Sequence, residues 1–157
     1  MTGISNRRVV SGLGQDGKSV IAIDGPVPEA ASLAGGTRLI WRTGEVPADN
    51  SGSADVDLGN VDLEDLSGPG TMFMIQKFPP SHGDGEPFWH ATNSIDYITL
   101  VSGEVVFVTQ SGETTLRAGD VLVDRGIVHA WRNDSDADAV ATIVIVPAQP
   151  VGEGRTV

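Results

Sequence analysis

Between Trp89 and Asn133 the chain is cut into short β-type runs: Tyr97–Val101, Val105–Thr109, Thr114–Arg117 and Val121–Asp124. Gly, Ser or Asp bounds each run, the chemistry that strand–turn–strand connections require. Two of the three histidines, His90 and His129, flank these runs. This stretch constrains the fold most, because so much punctuation commits it to sheet.

The rest of the chain agrees. Arg7–Val10 and Ser19–Asp24 are expected as strands around Gly12–Gly17, Thr37–Thr43 and Thr71–Phe78 as two more, and Ala139–Val146 as the clearest buried strand, ended by Pro147. In Thr37–Thr43, alternation sets Arg38, Ile40 and Arg42 against Leu39 and Trp41, with Trp41 read as core. A length of 157 residues fits one domain with a sizeable core, and Gly 20 with Pro 9 implies many turns. Three parts are expected within it: residues 1–70 as N-terminal strands and an acidic loop, 71–147 as the main barrel, and 148–157 as a tail frayed or lying across a partner subunit.

The net charge of −11 opposes binding to nucleic acid or an anionic membrane. Zero cysteine removes disulfides, thiolate nucleophiles and Cys-based zinc sites. No apolar run has the length of a signal peptide or a membrane helix, so a cytoplasmic protein is expected. Gly12–Ser19 fits the phosphate-binding string G-x-x-x-x-G-K-[ST]. That site needs a helix directly after the loop, whereas Val20-Ile21-Ala22-Ile23 is β-branched and apolar and Asp24-Gly25-Pro26 stops it. A hairpin, and no nucleotide, is the expectation.

Gly44–Gly70 carries seven acidic residues and no Lys or Arg. It reads as a solvated excursion, a lid over the barrel mouth, or carboxylates for calcium, although its spacing is not that of an EF-hand. Val61–Leu66 could form a helical turn that packs Leu63 and Leu66 on the barrel.

The central stretch resembles the cupin family. The family pattern opens His-x-His, three or four residues, Glu, six residues, Gly; here His90, Thr92, Asp96 and Gly103 stand in those places. Its second half runs from Gly-Asp through Gly and His to Asn, here Gly119-Asp120, Gly126, His129 and Asn133. The usual Pro before the second Gly is Asp124, and the Gly-to-His spacing is one residue short. The resemblance covers residues 71–147 and implies an all-β double-stranded β-helix, a jelly-roll-like barrel with an N-terminal strand extension. It also implies a homodimer and a small-molecule substrate. Two of the four metal-ligand positions are substituted.

Residues two apart on a strand share a face, so His90 and Thr92 can both point inward. Asp96, Ile98 and Leu100 oppose Tyr97, Thr99 and Val101, and an inward Asp96 brings a carboxylate towards His90. With His129 these make a candidate ligand set for one divalent metal, Fe, Zn, Mn or Ni. Without a metal, His129, Asp96 and His90 are candidate general acid/base groups. Trp89, Thr92, Tyr97 and Trp131 are candidate pocket residues, Arg125 a candidate carboxylate clamp, and His82 a solvated loop histidine. Gly103, Gly119, Gly126 and Asn133 are read as turn residues. The leading functional expectation is non-redox lyase, dehydratase or isomerase chemistry. The alternatives are a non-haem Fe(II) dioxygenase and a non-catalytic small-molecule binder.

Overall fold

The computed structural model describes residues 6–32, 36–59, 61–81 and 85–157; His82 lies outside them. Ten strands are present among the described residues: β1 (Arg7–Leu13), β2 (Ser19–Pro26), β3 (Thr37–Arg42), β4 (Met72–Phe78), β5 (Ser94–Ser102), β6 (Glu104–Thr109), β7 (Gly112–Arg117), β8 (Val121–Asp124), β9 (His129–Arg132) and β10 (Ala139–Pro147). They form a β1-β2 hairpin, a five-stranded sheet in the order β3-β4-β10-β5-β8, and a three-stranded sheet in the order β7-β6-β9. The architecture is the all-β double-stranded β-helix that the sequence leads one to expect.

The two larger sheets bury one face each against the other. Leu39, Met74, Ile98, Leu100 and Ile143 from the large sheet share a core with Val105 and Leu116 from the small one. Antiparallel register aligns their inward side chains in rows. Met72, Ile145, Asp96 and Asp124 lie opposite one another across four strands, and Met74, Ile143, Ile98 and Leu122 form the next row. One residue along, Phe73, Val144, Tyr97 and Val123 make an outward row.

Gly12–Ser19 is a hairpin turn: Gly14 and Lys18 close it by backbone hydrogen bonding, and β2 begins at Ser19 with no helix following. β3 departs from strict alternation. Its pairing to β4 shifts between Leu39 and Trp41, so Leu39 and Ile40 are both buried. Trp41 is consequently only half-buried, with the Arg8 guanidinium 5.9 Å from its ring centroid. Arg8 is itself buried, donates to the Ile40 carbonyl and pairs with Asp55, tying the hairpin to β3 and to the acidic segment.

That segment is ordered by its own carboxylates. Asp49, Asp57 and Asp62 accept backbone N–H groups two residues ahead. Asp62 also accepts from Asp65 N–H, and the Asp65 carboxylate accepts from Asp62 N–H, a reciprocal pair at the start of the 3-10 helix Glu64–Ser67. The tail is neither frayed nor free. Thr156 bonds Ala91 through both its N–H and its hydroxyl, Arg155 N–H donates to Asn93, and the Val157 carbonyl accepts from Ser67.

Candidate active site

His90 and His129 face each other. Each donates its backbone N–H to the other's carbonyl, at 3.0 and 2.9 Å, and their ring centroids lie 4.3 Å apart. β9, which carries His129, pairs with β6, and the bridge to His90 extends that sheet by one residue. The rings differ in their second partners. His90 Nδ1 lies 3.2 Å from the Phe88 carbonyl. His129 Nδ1 lies 3.0 Å from the Ile127 carbonyl and 2.9 Å from Asp124 Oδ2. All three partners are acceptors, so each Nδ1 carries hydrogen and each Nε2 is the nitrogen left for a ligand.

Asp124 is 2% exposed at the end of β8. Its Oδ1 accepts from Gly126 and Ile127 N–H. Oδ2 has no well-angled donor, so its short approach to His129 is a contact of charge, with the Nδ1 hydrogen shared towards Ile127. Burial disfavours the His129 imidazolium, but the contact with and charge of Asp124 outweigh it, and the pKa is raised. His90 has no such partner. Burial first, then repulsion from His129, lowers its pKa. Phe88 stacks on His90 at 4.9 Å, and Phe107 lies against His129 at 5.1 Å.

Asp96 stands opposite Asp124 on β5 and is 8% exposed. Alternation brings Thr92, Ser94 and Asp96 to one face: Thr92 Oγ1 lies 2.6 Å from Ser94 Oγ, which donates to Asp96 Oδ1 at 2.6 Å. Burial chiefly, with the Asp124 charge added, pushes the Asp96 carboxyl up to about 6 against the pull of Ser94 and His129.

His90, Thr92, Asp96, His129 and Trp131 line one cavity of about 730 Å³. Met74, Phe78, Ile98, Ile143 and Ile145 supply an apolar body, Val61, Asp62, Leu63 and Leu66 of the acidic segment form one part of the wall, and Thr37 and Gln76 another. Three expected pocket residues stand elsewhere. Trp89 is 40% exposed, Tyr97 48% exposed and Arg125 exposed, and none lines the cavity. Tyr97 follows inward Asp96 on β5, and period-2 alternation turns it outward; Trp89 and Arg125 lie next to His90 and Asp124 but outside the strands. Asp124 and Ser94 join the site without being among the expected residues. Asp124 was signalled by its place where the pattern has Pro, and Ser94 by lying two residues from both Thr92 and Asp96. Asn133 is more than a turn residue: buried, it donates to the Phe78 and Ala137 carbonyls at 2.8 Å.

The expected triad of His90, Asp96 and His129 does not assemble as ligands. Among the described residues no three His, Asp or Glu side chains converge on a common point. Asp96 Oδ1 and the Thr92 hydroxyl are engaged with Ser94, while both imidazoles keep Nε2 as a donor. Two imidazoles are available, and they do not fit a centre with three protein ligands.

A family model described as a cupin domain matches residues 74–146. Oryzines biosynthesis cluster protein J of Aspergillus oryzae is 32% identical over 118 residues, covering 72% of this chain and 65% of that protein. Phomopsin biosynthesis cluster protein D of Diaporthe leptostromiformis is 31% identical over 147 residues, covering 87% of this chain and 76% of that protein. The solved structure of an uncharacterized conserved protein with a double-stranded β-helix domain from Klebsiella pneumoniae is 17% identical, covers 76% of this chain and 85% of that one, and superposes with a TM-score of 0.50, a likeness of fold alone. The chain belongs to the cupin family.

Proposed function

We propose that the cavity performs non-redox acid–base chemistry, a dehydration, isomerisation or related lyase step, on a small oxygenated organic molecule. The observation that carries this is the pair of touching imidazoles at one end of the cavity, one backed by a buried carboxylate and one not. Environments that separate two such groups make one a base and the other an acid. Neutral His90 is the base: its Nε2 takes a proton from a carbon beside a carbonyl. In a dehydration the released electron pair forms the carbon–carbon double bond, the β carbon–oxygen bond breaks, and His129 Nε2–H protonates the departing hydroxyl to water. In an isomerisation the pair moves onto the carbonyl oxygen, and the same Nε2–H protonates it to the enol. Asp124 positions His129 and sustains its charge. Asp96, titrating about pH 6, is the wall group suited to take up a proton between turnovers. The names of two relatives, which place them in biosynthesis clusters, support a small-molecule enzyme.

The test is solvent deuterium exchange, followed by NMR, at the α-carbon of a panel of ketones and β-hydroxy ketones. Exchange is expected with the native protein and should fall by about 100-fold or more in His90→Ala and His129→Ala with the fold retained, the scale of one lost acid or base. Oxygen uptake that depends on added Fe(II) and is lost in His90→Ala would replace this reading with a dioxygenase; tight binding without exchange would replace it with a binding protein.

We also propose a homodimer. Phe73, Tyr97 and Val123 are exposed on the outward row of the large sheet, and Val9, Leu13 and Ile21 on the hairpin, which support an apolar contact between copies. A monomer by light scattering at micromolar concentration would refute it.

A further inference from the structure

We infer that the substrate is an uncharged molecule with an extended apolar or aromatic body and one oxygenated end, and that phosphorylated and carboxylate-bearing compounds are discriminated against. This rests on the acid–base reading of the same cavity but concerns what is bound.

A volume of about 730 Å³ suits a molecule of drug size. The reactive polar groups gather at the Asp96 row, while the next row inward offers only Met74, Ile98 and Ile143. Gln76 lies four residues along β4 from Met72 of the Asp96 row, about 13 Å at ~3.3 Å per residue. There the wall is neutral again, with Thr37 hydrogen-bonded to Gln76. A ligand that spans the cavity therefore meets ionisable groups at one end, hydrocarbon in the middle and uncharged polar groups beyond.

Charge narrows the class. Among the described residues neither Lys nor Arg lines the cavity. The cation His129 is already paired with Asp124 at 2.9 Å. The other ionisable acids on the wall, Asp96 and Asp62, add negative charge, and Asp62 belongs to a segment without a single Lys or Arg. An anion entering would lose its hydration with no unpaired cation to replace it. Leu63 is 52% exposed while lining the cavity, which places it at the mouth.

Binding can be read by quenching of Trp131 fluorescence, with Trp131→Phe to show that the signal comes from the cavity. Three probes suffice: 4-phenylbutan-2-one, 4-phenylbutanoate with the same body, and glycerol 3-phosphate. The ketone should bind at least about tenfold more tightly than the carboxylate, and the phosphate should not bind. Leu63→Arg, a change at an exposed position, should narrow the ratio to about threefold or less by supplying the missing cation. A carboxylate or phosphate that binds as tightly as the ketone, or a ketone that does not bind, overturns the inference. Ketone binding without deuterium exchange would sink the acid–base reading while upholding this one.

Discussion

At the scale of single residues the account turns on Asp124, Asp96 and the two histidines. His90 must be neutral and His129 protonated for the proposed step. With His90 lowered below the ordinary 6.5 and His129 raised above it, activity should trace a bell in pH. The acid limb belongs to His90 and the alkaline limb to His129. Asp124→Asn removes the charge that raises His129 and should pull the alkaline limb down in pH; an unmoved limb would show that Asp124 does not set it. Asp96 makes a separate prediction about stability. Its folded pKa of about 6 exceeds the ordinary 3.8, so the folded state binds the extra proton between those values. Stability is lost as pH rises from about 4 to 6 and is flat beyond, a cost on the order of 3 kcal/mol. Asp96→Asn should therefore melt like the native protein at pH 4 and resist denaturant better at pH 8. An equal difference at both pH values would contradict the assignment.

At the scale of elements, the loop between β8 and β9 holds the site together. Gly126 has φ 77°, and a Cβ there would come within 2.7 Å of the Thr92 carbonyl and 2.9 Å of the Ser94 carbonyl. Gly126→Ala combines backbone strain with displacement of the hydroxyl chain, and should cost about 2 kcal/mol or more. Gly17→Ala, at φ 74° with open space around it, should cost only about 1 kcal/mol. Denaturant titrations that rank the two equally would show that the contacts at Gly126 do not matter. The tail should behave as part of the domain: truncation before Gly152 removes the Thr156–Ala91 and Arg155–Asn93 bonds and should lower Tm while weakening ligand binding at His90. Most strands were legible because β-branched runs between Gly and Asp allow little else, as in Val121–Asp124 and Ala139–Val146. β9 is not legible as a strand from composition, since His-Ala-Trp-Arg lacks β-branched residues and is held by pairing to β6. The β3 shift that half-exposes Trp41 depends on its partner β4, a tertiary effect that alternation alone cannot show.

At the scale of the molecule, two sheets converge so that side chains distant in sequence meet at one end of a single cavity. His90, Asp96 and His129 were legible as a group because the cupin pattern names their places. Their relation was not legible. The pairing of Asp124 with His129 requires the register of β8 on β5, and the coverage of the cavity by Val61, Leu63 and Leu66 requires the path of the acidic segment. Proximity in sequence does not place a side chain in the cavity: Tyr97 takes the face of β5 opposite Asp96, and Trp89 and Arg125 are exposed just outside the strands. What the assembled fold supplies is one carboxylate for one of two touching imidazoles. The measurement that tests this most directly is an NMR titration of the ring nitrogens of His90 and His129, in the native protein and in Asp124→Asn. The expected result is His129 titrating above 6.5 and His90 below it, with the His129 value falling in the variant. Two histidines that titrate together, or a His129 value indifferent to Asp124→Asn, would contradict the acid–base pair on which the proposed function stands.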